Sequence, residues 1–256
     1  MVDGAEPWAH NEIAGSVFGA SLQAGAIYGG VHIHDWRNAS IAEVFTAAVE
    51  QLSSGHPLVR IAGMRLLENL GQEYPGYRQA VMHVLCGCLR AASDHAPSGG
   101  DLGVLETAQR VILKHMSQPR RDLRDVFYDM RTRRGGWDDR DEQYWPDVSV
   151  DLSGVTLTDF DTSGRWINDV DFSGARFIGS FAKFSHTYFS ESPRFDGATF
   201  AVPADFTLCY FNRGASFDGV RFVAAATFRE AFFTGPFKSD GLSCDGTMDT
   251  VGMHFS

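Results

Sequence analysis

The chain has 256 residues, 44% hydrophobic and 21% charged, enough apolar mass for one large folded body or two small ones. Its formal net charge of −10 excludes a general nucleic-acid-binding surface, which needs a basic face. Four scattered cysteines (Cys86, Cys88, Cys209 and Cys244) exclude a disulfide framework, and the opening "MVDGAEPWAHNE" lacks the basic start of a secretory signal, so the expected compartment is the cytoplasm.

The first element, within an N-terminal segment expected over 1–38, is "NEIAGSVFGASLQAGAIYGGVHIH" (Asn11–His34), uncharged after Glu12. Gly15-Ser16-Val17-Phe18-Gly19 returns ten residues later as Gly25-Ala26-Ile27-Tyr28-Gly29. An even offset puts matching side chains on the same face of an extended chain, whereas a helix would rotate them by about 80°. Paired strands are therefore the expectation, a loose hairpin or irregular segment in a single chain. Gly15/Gly19 and Gly25/Gly29 also fit a G-x-x-x-G membrane-helix spacing, although Gln23, His32, His34 and the glycines argue against a membrane span.

Residues 39–117 predict a helical domain. Ser40–Glu43 reads as a capping box, followed by Ile41, Val44, Phe45, Ala48, Val49 and Leu52 at helical spacing. Gly55 ends this helix and Pro57 starts the next, which is expected to stop at Gly71. A third helix from about Pro75 carries Tyr77, Val81, Val84, Leu85, Cys88 and Leu89. A fourth, with Asp101 as N-cap, presents Leu102, Leu105, Ile112 and Met116. Short loops between amphipathic helices suggest antiparallel hairpins in a HEAT- or armadillo-like module. Residues 118–146, dense in Arg and Asp, read as a charged linker with a short helix and a hinge at Gly135-Gly136.

Over 147–237 the period becomes about five, and 16 of the 20 phenylalanines lie between Phe160 and Phe237. Large residues recur from Leu152 and Leu157 through Phe172, Phe177 and Phe184 to Phe233, with Thr162 a weak member. A small residue usually sits two positions earlier, as at Ala175, Ala182 and Ala198, and glycine often follows two positions later. Residues two apart in extended chain share a face, so each short strand sends one large and one small side chain inward before a corner. Four sides close a coil, and the sixteen centres predict about 4 coils of parallel β-helix stacked about 4.8 Å apart. The jump of seven from Phe177 to Phe184 predicts a bulge or small loop, and 238–256 reads as a cap or tail.

"VDLSG", "VDFSG", "PRFDG" and "ASFDG" resemble the pentapeptide-repeat family, while "TSGRW" departs from its pattern. The resemblance implies a right-handed quadrilateral β-helix, here in an α+β multidomain chain. "FTAAVEQLSSGHPLVRIAGMRLLENL" (Phe45–Leu70) resembles the helical module that precedes such repeats in proteins of filamentous bacteria. Asn11–His34 resembles bacterial amyloid signalling motifs related to the RIP homotypic interaction motif, through Asn11-x-Ile13-x-Gly15, Leu22-Gln23-Ala24-Gly25-x-Ile27 and Gly29-Gly30-Val31-His32-Ile33. That resemblance implies self-assembly and recruitment by a receptor with a matching motif. The expected contact residues are Asn11, Ile13, Gly15, Val17, Phe18, Gly19, Gln23, Gly25, Ile27, Tyr28, Gly29 and Val31. Low charge, no proline and alternating small and β-branched residues suit a cross-β zipper. A partnerless tail is the bland alternative.

Catalytic and metal signals are weak, and neither an enzyme nor a cofactor is expected. His83, Cys86 and Cys88 share a helix, but Cys88 falls on its apolar face and no second cluster completes four ligands. His32 and His34 read as exposed, "RTRRGG" as a self-neutralised surface run, and Cys209 as an inward, inert slot. Outward aspartates (Asp151, Asp159, Asp169, Asp171 and Asp205) raise an alternative, a DNA-mimic inhibitor of a topoisomerase. Yet residues 147–237 and 1–146 each carry a net −4, so the acidity is spread along the chain. The expectation is a protein-interaction scaffold, with the acidic mimic and a membrane-anchored repeat protein as alternatives.

Overall fold

A computed structural model describes residues 40–93, 99–119 and 143–256. Four helices come first: α1 (Ile41–Leu52), α2 (Pro57–Glu73), α3 (Arg78–Ser93) and α4 (Gly99–Met116). The Ser40 capping box forms, with the Glu43 N–H donating to Ser40 Oγ at 3.3 Å and the Ser40 N–H to Glu43 Oε2 at 2.7 Å. α2 packs on α1 and α4, and α3 on both α2 and α4.

Three expectations for the helices need correction. α2 runs past Gly71 to Glu73, because Gly71 serves packing rather than termination: a Cβ there would lie 2.5 Å from the Trp145 ring. Pro75 stops the helix instead, opening a 3₁₀ turn over Pro75–Tyr77. α4 starts at Gly99, so Asp101 sits in its first turn and pairs with Arg60 instead of capping. Leu102 is 50% exposed, and the buried face uses Val104, Ala108, Val111, Ile112 and Met116.

After β1 (Ser117–Pro119), the described chain resumes at Gln143 and winds into a parallel β-solenoid from β2 (Ser149–Asp151) onward. Next come β3 (Thr156–Asp161), β4 (Arg165–Ile167), β5 (Asp169–Asp171) and β6 (Arg176–Lys183). The strand registers align four interior columns, one per side. The second side stacks Leu157, Phe177, Phe200, Phe222 and Cys244. The fourth stacks Ile167, Phe189, Phe211, Phe233 and Phe255. Rings within a column lie nearly parallel, as for Phe177 and Phe200 at 4.3 Å and 2°, and meet rings of adjoining columns edge-on.

There are about 5 turns, not four. Residues 238–256 continue the coil through strands at Phe237–Lys238, Ser243–Cys244, Met248–Asp249 and His254–Phe255. They read as a tail because Ser239, Cys244 and Thr250 occupy three of the four large positions in that turn. The large–small order is also reversed twice. Phe160, aligned with Ala182, fills the first coil's third side while Thr162 holds the large slot; both are buried. Phe237 likewise aligns with Ala215 and leaves the large slot to Ser239.

Two corners of each coil are tight turns. At one, Gly154, Gly174, Gly197, Gly219 and Gly241 all have φ between 66° and 71°, the left-handed state glycine adopts freely. The opposite corner holds His186, Leu208 and Glu230 at φ 59°, 55° and 54°, each costing on the order of 1 kcal/mol. The expected bulge is present in β6. Asp159 on β3 faces Gly179–Phe181, and its Oδ1 accepts the Ser180 N–H at 2.6 Å.

The first coil has an exposed ladder edge, and the helices cover it. The Gln79 amide donates to Ser149 O and accepts the Ser149 N–H, both at 2.9 Å. Gln109 does the same at Thr158, at 2.8 and 3.1 Å. Each glutamine thus imitates one peptide group of a missing strand. Ser93 Oγ accepts the Thr156 N–H, Arg90 donates to the carbonyls of Asp151 and Ser153, and β1 pairs antiparallel with β4. A capped edge cannot recruit a foreign strand.

Candidate functional site

The twelve N-terminal motif residues, Asn11, Ile13, Gly15, Val17, Phe18, Gly19, Gln23, Gly25, Ile27, Tyr28, Gly29 and Val31, lie outside the described residues, as do His32, His34 and "RTRRGG". The weak metal candidates are described and split apart. His83 is exposed and its Nε2 lies 2.8 Å from the Gln79 amide, whereas Cys86 is buried in the helical core. Burial pushes the Cys86 thiol up to about 12, which holds it protonated. Among the described residues no group of three His, Cys, Asp or Glu could hold a metal ion. Cys209 fills an inward slot and donates from Sγ to Phe184 O.

Sequence reading missed the most elaborate polar site, where α2 and α4 meet Gln143–Trp145. Glu68 is 5% exposed and takes Lys114 Nζ at 2.7 Å, Arg65 Nη1 at 2.8 Å and His115 Nε2 at 3.2 Å. Burial alone would raise its pKa, but the bonds from His115, Lys114 and Arg65 outweigh it and hold the carboxyl at about 2. The other His115 nitrogen faces the Gln143 carbonyl, and its ring stacks on Trp145 at 3.9 Å and 17°. Trp145 is fully buried. Its indole N–H donates to Gln72, and Arg78 lies 5.7 Å above its ring. The signal for this lock was a tryptophan next to a charged run, at the border of the repeats.

On the solenoid the outward aspartates do not line one face. Asp151 and Asp171 stack on the first side, while Asp205 follows Lys183 on the third. Several exterior carboxylates are neutralised by an arginine on the neighbouring coil: Asp171 by Arg194, Glu191 by Arg213, Asp245 by Arg221 and Asp249 by Arg229. The fourth side instead stacks Trp166, Tyr188, Tyr210 and Phe232 outside, ring over ring.

The interior columns, the small partner two residues before each ring and the corner turns define the repeat. Residues 184–231 match the family model described as pentapeptide repeats (9 copies). That stretch is built of pentapeptide repeats. Every large position inside the match, from Phe184 to Phe228, is phenylalanine, and beyond it the repeat departs at Thr162, Ser239, Cys244 and Thr250. No curated protein matches the chain. Among the described residues no helix is long and apolar enough to cross a membrane.

Proposed function

We propose that the protein is a non-enzymatic interaction scaffold of the cytoplasm. A capped pentapeptide-repeat solenoid forms its rigid body, and the Asn11–His34 motif is the contact that assembles with a matching motif on a protein partner. The observation that carries the scaffold reading is the division of labour in the solenoid. The interior is close-packed phenylalanine, and several exterior carboxylates are paired with an arginine of the neighbouring coil. The same pairing weighs against the DNA-mimic reading, because arginines interrupt what would have to be a continuous anionic stripe.

The motif part rests on its low charge, absence of proline and ten-residue internal repeat. A peptide of residues 11–34 is expected to form thioflavin-positive fibrils, and Ile27→Asp to prevent them by placing a charge in the zipper. A wild-type peptide that stays monomeric at high micromolar concentration removes the signalling role and leaves the scaffold alone.

A further inference from the structure

At one inward position of the first coil the small residue of the repeat is replaced by Arg165. Strand register places Arg165 above Thr187, Cys209 and Ala231, which are at most 1% exposed. In the first coil this slot opens upward, into a groove of about 470 Å³ between α4 and the start of the solenoid. Arg165 Nη1 donates to Ser117 Oγ at 3.3 Å, a neutral hydroxyl that itself donates to Leu113 O at 2.6 Å. No carboxylate among the described residues forms an ion pair with Arg165.

Arg110 and Lys114, one turn apart on α4, line the same groove. Lys114 is tied to Glu68, whereas Arg110 is exposed and forms no ion pair among the described residues. Of the two acids on the wall, Asp161 accepts the Ser163 N–H at 2.8 Å, and Glu106 lies one turn before Arg110. A guanidinium rooted at an inward position and lining a groove contrasts with the solenoid arginines that pair with carboxylates of neighbouring coils. Its planar fork matches the two oxygens of a carboxylate or phosphate.

We propose that the groove binds an oxyanion, gripped by Arg165 from the solenoid and Arg110 from α4. Two sources share that chemistry, a phosphorylated small molecule and an acidic protein segment. Calorimetric titration of the full chain at low salt with inorganic pyrophosphate, and separately with a hexaglutamate peptide, distinguishes them. We expect one probe to bind with a Kd of about 1 mM or tighter, the pyrophosphate arm indicating a phosphate ligand and the peptide arm an acidic segment.

Arg165→Met keeps the aliphatic stem, and Arg110→Ala alters an exposed residue; each should weaken binding about tenfold with circular dichroism unchanged. If Arg165→Met does not fold, Arg110→Ala alone decides. Binding of neither probe, or equal binding by wild type and the folded variants, overturns the proposal. No residue of the N-terminal motif takes part, so failure here is separate from failure of the signalling role.

Discussion

Phe206→Ala is expected to destabilise the protein by about 3–5 kcal/mol, a large fraction of the roughly 5–15 kcal/mol that ordinarily holds a domain folded. Phe206 is fully buried in the third interior column, 4.7 Å from Phe184 on one side and 4.7 Å from Phe228 on the other. It also meets Phe195 and Phe217 edge-on at 5.6 and 5.5 Å. Truncation removes both stacking partners' contacts and leaves a cavity that the hydrogen-bonded walls cannot collapse, because each wall is fixed to the coils above and below. Phe206→Leu should cost only about 1–2 kcal/mol, since most of the volume remains. Urea denaturation followed by circular dichroism reads both values. A loss below about 1 kcal/mol for the alanine variant would mean that the phenylalanine column is not the source of stability.

Trp145→Ala is expected to cost about 3–5 kcal/mol and to loosen the helices from the solenoid. The indole is the keystone of their junction. It stacks on His115, donates to Gln72, receives Arg78 on its face and fills the space left by the missing Cβ of Gly71. Its backbone N–H also donates to His115 O at 2.9 Å. Gly71→Val should reproduce much of the effect from the opposite side, because a rigid ring cannot retreat from a new branched side chain. Scanning calorimetry should show one transition for the wild type and a separate, earlier helical transition for Trp145→Ala. An unchanged single transition in both variants would show that the junction is held elsewhere.

The repeat was legible because it is written in a single residue type at near-constant spacing. Sixteen phenylalanines between Phe160 and Phe237 make the inward columns visible without any structure. Where another residue fills the same slot the signal fails, although the backbone does not change. Ser239, Cys244 and Thr250 hid the fifth turn, and the exchange of roles between Phe160 and Thr162 made a sound coil look defective. Helix ends mislead for a related reason: Gly71 has the look of a stop signal, yet it makes room for Trp145, 74 residues away in the chain.

Long-range pairings explain what remained hidden at the sites. Nothing local in Gln79 or Gln109 announces that its amide will close a strand edge. Arg165 left a trace, because "TSGRW" departs from the repeat by placing an arginine where a small residue belongs, and that departure marks the groove beside α4.

One hydrogen-bonded ladder runs from the helical cap through the fifth coil. Amide hydrogen exchange on the full chain tests it most directly. Ser149 and Thr158 should be protected by Gln79 and Gln109, and Ser243, Asp245, His254 and Ser256 by the carbonyls of Val220, Phe222, Ala231 and Phe233. Slow exchange at both ends is the predicted result. Exchange over 238–256 as fast as in an unstructured peptide would contradict it.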